Sequence, residues 1–171
     1  MDPQGVTDQE FKLFRALIYR LAGINMADSK KPLLTGRLSR RLRHYGLDSF
    51  SAYYKLVTGG GHAEELQLMV DLLTTNETYF FREPAHFDFL RDFAALRRGR
   101  PFRVWSGASS SGEEPYTIAM VLAETLGQSA DWEVIASDIS LTVLERAQAG
   151  LYPMERGRGI PPELMKKYCL K

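Results

Sequence analysis

The chain has 171 residues, of which 44% are apolar and 25% charged, with a formal net charge of +1 and a single cysteine, Cys169. That length suits one medium domain or two small ones, and the composition is that of a soluble globular protein. The near-zero charge excludes a global field aimed at nucleic acid or membrane, and one thiol excludes an intrachain disulfide framework and suits a reducing cytosol. The first ten residues carry acids where a signal peptide would carry a basic region, and no apolar run approaches the ~20 residues of a membrane span. The expectation is a soluble, cytoplasmic protein without membrane insertion.

Thr7 and Glu10 form a T-x-x-E capping box, after which Phe11, Phe14, Ile18 and Leu21 recur at helical spacing, with Gly23 as the stop. Pro32 suits the first turn of a second helix, running to about Tyr45 and ended by Gly46. Asp48 is placed to cap a third, S-F-S-A-Y-Y-K-L-V, which stops before Gly59-Gly60-Gly61. A fourth covers E-E-L-Q-L-M-V-D-L-L. Residues 1–75 therefore read as a small all-helical domain, with the glycine triplet a loop inside it.

The pattern changes after Pro84. A-H-F-D-F-L-R-D-F-A-A-L has a helical period, R-R-G-R-P is a basic turn, and F-R-V-W-S-G-A is a short strand. A glycine-containing loop and the helix E-E-P-Y-T-I-A-M-V-L-A-E-T-L follow, then the strand W-E-V-I-A-S-D and the helix S-L-T-V-L-E-R-A-Q-A-G. This βαβα order calls for parallel strands joined by a crossover. Doubly wound sheets have about five or six strands, and the tail I-P-P-E-L-M-K-K-Y-C-L-K stops where a third would begin. The expectation is the front part of a longer protein, with a strand edge that a second copy could cover by self-association.

Three stretches carry candidate chemistry. S-G-A-S-S-S-G-E-E-P joins the first strand to its helix, where backbone N–H groups face a ligand. It is neither G-x-G-x-x-G nor a P-loop, and Glu113 and Glu114 would repel a pyrophosphate. A ligand bearing an ammonium group fits better, although both glutamates also suit a plain helix N-terminus. Asp138 lies 25 residues after Glu113, at the end of the second strand, placed either for ribose hydroxyls or as a cap for the next helix. Together they suggest a nucleoside whose far end is cationic, a description that S-adenosylmethionine meets. In T-N-E-T-Y-F-F-R-E-P, Asn76 and Thr78 can hydrogen-bond a ligand, and Arg82 can grip an anion bidentately. The alternative there is an aromatic-packed hinge with Arg82 turned outward. Separately, the second helix holds six Lys or Arg residues from Lys30 to Arg43 and no acid. Such a stripe is a solvated face, a nucleic-acid contact or a dock for an acidic protein surface.

These strings resemble the chemotaxis receptor methyltransferases, the CheR family. R-L-S-R-R-L-R, L-L-T-T-N-E-T-Y-F-F-R-E, R-V-W-S-G-A-S-S-S-G-E-E-P-Y-T-I-A and A-S-D-I-S all occur in matching order. The resemblance implies an α/β protein: an all-helical N-terminal domain, residues 1–75, then the front part of a Rossmann-like S-adenosylmethionine-dependent methyltransferase domain, residues 76–171. It implies methyl transfer from S-adenosylmethionine to chemoreceptor glutamates, with S-adenosylhomocysteine as product. It makes Asn76, Thr78, Arg82, Glu113 and Asp138 cofactor contacts, with Arg82 also catalytic. It places Arg37, Arg40, Arg41 and Arg43 of the basic helix, about residues 32–45, against the receptor's helical bundle. No metal and no nucleic acid is assigned. The alternative is a non-catalytic module that binds receptor helices or S-adenosylhomocysteine.

Overall fold

The computed structural model describes residues 5–169, in two units that part between Thr75 and Asn76. Residues 1–4, at the start of the acid-bearing N-terminal stretch, and residues 170–171, at the end of the tail, lie outside the described residues.

In the first unit, Thr7 opens α1 (Asp8–Ala22) with a complete capping box. Its hydroxyl accepts from the Glu10 N–H at 3.2 Å, and the Glu10 carboxylate accepts from the Thr7 N–H at 2.9 Å. Gly23, with φ of 67°, closes the helix through an N–H bond to the Tyr19 carbonyl. Then come α2 (Lys31–His44), α3 (Phe50–Thr58) and α4 (Ala63–Leu73), with Pro32 in the first turn of α2. The cap of α3 is a correction: Ser49, not Asp48, accepts from the Ala52 N–H at 3.2 Å. Ser49 has the extended backbone that a capping position needs, at φ −141° and ψ 150°. The four helices bury Phe14, Ile18, Leu34, Leu38, Leu42, Tyr53 and Met69 completely. Phe14 stacks on Tyr53 and meets Phe50 and Tyr54 edge-on, at centroid distances of 5.5–6.4 Å.

Two carboxylates are built into this core. Glu10 reaches from α1 to the start of α3, where its other oxygen accepts from the Ser51 N–H and hydroxyl at 2.7 and 2.8 Å. Burial pushes its pKa up, but the hydrogen bonds from Thr7 and Ser51 outweigh that and hold it below the usual carboxylate value. Glu65 on α4 is buried and accepts from Arg41 through Nε and one terminal nitrogen, one on each carboxylate oxygen, from Tyr53 at 2.6 Å and from Tyr45 at 3.2 Å. Here too burial raises the pKa and the hydrogen bonds, Arg41's foremost, lower it further.

The second unit contains α5 (Pro84–Ala95), β1 (Phe102–Ser106), α6 (Glu113–Leu126), β2 (Trp132–Ala136), α7 (Leu141–Ala149), a 3₁₀ segment (Met154–Gly159) and α8 (Pro162–Tyr168). The strands are parallel, in register from Phe102 opposite Trp132 to Ser106 opposite Ala136. Phe87 and Ala94 of α5 and Ile118, Val121 and Leu122 of α6 pack with Phe102 to cover one face. The other face presents the Arg103–Glu133 ion pair and the exposed register partners Trp105 and Ile135. The tail from Pro162 to Tyr168 is helix, where the sequence pattern marks no element. No helix among the described residues is long and apolar enough to cross a membrane.

Candidate functional site

The loop between β1 and α6 leaves the sheet at Ser106 and must turn sharply into the helix. Gly112 makes that turn at φ 98°, and a Cβ there would lie 2.6 Å from the Tyr152 hydroxyl and 2.9 Å from the Ala147 Cβ. Ser110 turns with it at φ 49°, an uncommon conformation for a residue with a side chain. That geometry aims its N–H at Asp138 Oδ2, 2.8 Å away, and its hydroxyl at the Asn76 carbonyl, 3.1 Å away. One residue therefore joins the Asn76 segment to the Asp138 loop.

Asp138 lies two residues beyond β2, which ends at Ala136. It does not cap α7: the capping position is Ser140, whose N–H donates to Asp138 Oδ1 at 2.9 Å. Both oxygens thus hold loop amides, and a carboxylate still offers further lone-pair sites to hydroxyl donors. The Ser109 and Ser140 hydroxyls, one on each loop, are buried and without a hydrogen-bond partner. Orphaned buried hydroxyls beside the carboxyl ends of parallel strands fit a polar ligand better than a filled core.

Glu113 is the first residue of α6 and is completely buried. Its Oε2 accepts from the Ser111 hydroxyl at 2.7 Å, and its Oε1 from Arg156 of the 3₁₀ segment, which also reaches Ser111 Oγ at 3.3 Å. Tyr152 donates to the Ser111 carbonyl at 2.6 Å. Burial and then the Glu113 charge push the Tyr152 phenol well above its ordinary value. Glu114 is exposed and accepts from Ser106 Oγ at 2.7 Å, at the strand tip.

The Asn76–Glu83 segment is fastened at a second point. The Phe81 N–H donates to Thr117 Oγ1 at 3.2 Å, and the Thr117 hydroxyl donates to the Glu113 carbonyl at 2.7 Å. Phe81 and Glu83, on either side of Arg82, both have positive φ, 58° and 55°. Phe80 is buried against Tyr152, and Gly159 is so close that a Cβ would lie 2.4 Å from the Phe80 carbonyl oxygen. Arg82 itself is exposed and donates to the Glu77 carbonyl at 3.0 Å, and Thr78 is half-buried. The structure thus brings the Asn76 backbone carbonyl and Asp138 together on Ser110, and Glu113 onto the adjacent Ser111, in one loop cluster. Arg82 stands on the turn fastened to it. A cavity of about 730 Å³ in the same unit, lined by Met120, Trp132, Tyr152 and Met165 among others, includes none of the five residues assigned to the cofactor.

Sequence reasoning missed Ser110, Thr117, Tyr152 and Arg156. The serine run in the loop was a signal for the first. Nothing local marks the others, whose long-range partners lie 36 to 45 residues away in the chain.

On α2 in the first unit, the four arginines assigned to a receptor divide. Arg41 is committed to the buried Glu65. Arg37 donates to the Leu72 and Thr74 carbonyls at 2.9 and 2.6 Å, satisfying acceptors that the end of α4 leaves open. Arg40, Arg43 and His44 are exposed.

Residues 9–74 match a family described as the CheR methyltransferase all-alpha domain, and residues 76–171 its SAM binding domain. The chain is 45% identical over 167 residues to a chemotaxis protein methyltransferase of Escherichia coli, covering 97% of this chain and 58% of the relative. It is 46% identical over 168 residues to chemotaxis protein methyltransferase 2 of Pseudomonas aeruginosa, covering 96% and 59%, and 36% identical over 174 residues to a Borreliella burgdorferi chemotaxis protein methyltransferase, covering 95% and 62%. The chain thus spans about three fifths of the length of these relatives. The helical first unit, the parallel strands of the second and the S-adenosylmethionine-binding domain matched there agree, and the chain belongs to the CheR methyltransferase family.

Proposed function

We propose that residues 76–171 bind S-adenosylmethionine across the tips of β1 and β2, and that residues 1–75 present a basic helix to a chemoreceptor. Asp138 accepts hydrogen bonds from the ribose hydroxyls, Glu113 receives the ammonium of the methionine end, and Asn76, Thr78 and Arg82 line the same end. The protein acts in the cytoplasm as a methyltransferase of glutamate side chains on the receptor's helical bundle. The observation that carries this reading is the loop cluster in which Ser110 meets the Asn76 carbonyl and Asp138 and the adjacent Ser111 meets Glu113, inside the segment matched by the SAM binding domain.

The bound cofactor supplies an electrophilic sulfonium methyl. A glutamate side chain is already ionised at neutral pH, so this chain's residues need not remove a proton. Their task is alignment and partial dehydration of the nucleophile. Arg82, held on a turn by Phe81 and Glu83 in unusual backbone conformations, orients the incoming carboxylate.

Titration calorimetry with S-adenosylhomocysteine tests the binding half. Wild-type chain should bind and Asp138→Ala should bind about tenfold more weakly, since a charged acceptor is lost; no binding by the wild type refutes the proposal. Turnover on a purified receptor cytoplasmic domain tests the rest. Binding without turnover assigns the chain instead as a module that holds the nucleoside or the receptor helix. The exposed Trp105–Ile135 face is what supports self-association, which light scattering reads directly.

A further inference from the structure

Glu113 poses a problem for the site just proposed. A carboxylate that receives a ligand's ammonium should be open to it, yet this one is completely buried and both oxygens are engaged. Among the described residues, its cationic partner is Arg156. Without that partner a buried carboxylate would be costly, even at a helix N-terminus whose dipole favours negative charge.

Arg156 is not buried like its partner. Its side chain is 45% exposed, against 0% for Glu113, so it reaches the carboxylate from the solvent side. The backbone that carries it has other fastenings. Tyr152 donates to the Ser111 carbonyl, Gly157 is buried, and Ile160 packs with Phe80 and Met120. The guanidinium can therefore swing into water while the segment stays in place. An ammonium group offers the carboxylate the same charge and up to three donors in its stead.

We infer that Arg156 is a specificity-determining residue that occupies Glu113 in the absence of ligand and is displaced from it by the ligand's ammonium. The inference rests on the reading that a nucleoside with an ammonium-bearing tail binds here. Under it, the ammonium adds to affinity only the difference between two ion pairs, one gained and one given up. Removing Arg156 leaves Glu113 unpaired in the free protein, so the same ammonium then contributes more. A residue that merely held Glu113 in position would have the opposite signature, because its loss would weaken the ammonium's contribution.

The test is a cycle between Arg156 and the ligand's amine. Calorimetry compares S-adenosylhomocysteine with its deaminated analogue, in which hydrogen replaces only the ammonium, on the whole chain. The ratio of the two affinities should rise about tenfold in Arg156→Gln relative to wild type, within the usual range of coupling between neighbouring charges. Arg158→Gln, an exposed neighbour on the same segment, should leave the ratio at the wild-type value. An unchanged or smaller ratio in Arg156→Gln overturns the inference while leaving the binding site standing. Failure of the wild type to bind S-adenosylhomocysteine overturns both. Should Arg156→Gln fail to fold, Arg156→Lys decides. Its shorter reach should give a ratio above that of the wild type, and an equal or lower ratio refutes displacement.

Discussion

The two units treat their charges and their backbone differently. In the first, Glu10 and Glu65 are each surrounded by donors from the same unit, and Arg37 and Arg41 are consumed in meeting its own acceptors. In the second, Ser109 and Ser140 keep unpaired buried hydroxyls, and Glu113 is held by a half-exposed arginine. The backbone divides the same way. Among the described residues, the three non-glycine residues with positive φ are Phe81, Glu83 and Ser110, all in the second unit and all around the candidate site. Strain and unpaired polar atoms are tolerated where a ligand can repay them, and a unit without them is built for shape.

The largest expected effect falls in the closed unit. Glu65→Ala strands Arg41, Tyr53 and Tyr45 around an empty acceptor site and should cost about 3–5 kcal/mol, the usual range for breaking a buried pair. Urea unfolding followed by the fluorescence or circular dichroism of the first unit reads it, and a loss near zero would break the contrast. pH gives the same comparison without mutation. Glu10 and Glu65 both titrate below the ordinary value of 4.5 when folded. Their stabilisation is therefore complete above that value and drains away as pH falls through the lower folded values. Acid should weaken the wild-type first unit more steeply than a Glu65→Gln variant, whose buried amide does not titrate.

Next in size is Gly112→Ala. The added Cβ meets Tyr152 and Ala147 in a backbone conformation that alanine rarely adopts, which should cost about 2 kcal/mol. Because Ser111 and Glu113 flank it, S-adenosylhomocysteine binding should fall with stability. Full affinity in a destabilised variant would mean that the loop's shape and the site are independent.

Much of the fold was legible because its causes are local. The capping box at Thr7 and Glu10, the Phe11–Phe14–Ile18 recurrence and the βαβα order each follow from spacing of a few residues. The α3 cap was misread by one position because Asp48 and Ser49 are both good capping residues, and only the backbone angles choose. The short α8 was not anticipated; nothing in P-P-E-L-M-K-K-Y forces a helix over a coil. In the candidate site, the strings around Asn76, Glu113 and Asp138 mark the loops, but they do not say who pairs with whom. That Ser110 ties Asn76 to Asp138, or that Arg156 meets Glu113, depends on contacts 28 to 43 residues apart, which no local pattern encodes.

The smallest effect on stability belongs to the surface that the basic stripe first suggested. Arg40 is exposed, so reversing it to glutamate should change stability by less than about 0.5 kcal/mol. Arg37→Ala should cost about 1 kcal/mol, because two carbonyls at the end of α4 lose their donor. If α2 docks an acidic receptor surface, the ranking inverts for binding. The Arg40→Glu variant should lose about fivefold in affinity for a receptor cytoplasmic fragment, an effect that salt diminishes, whereas Arg37→Ala should change affinity little. Sedimentation or calorimetry at two ionic strengths measures both variants. Equal loss in the two would show that the helix acts through its packing rather than its outward charge. The six-residue basic stripe would then be, like Arg41, a feature of the first unit's own architecture.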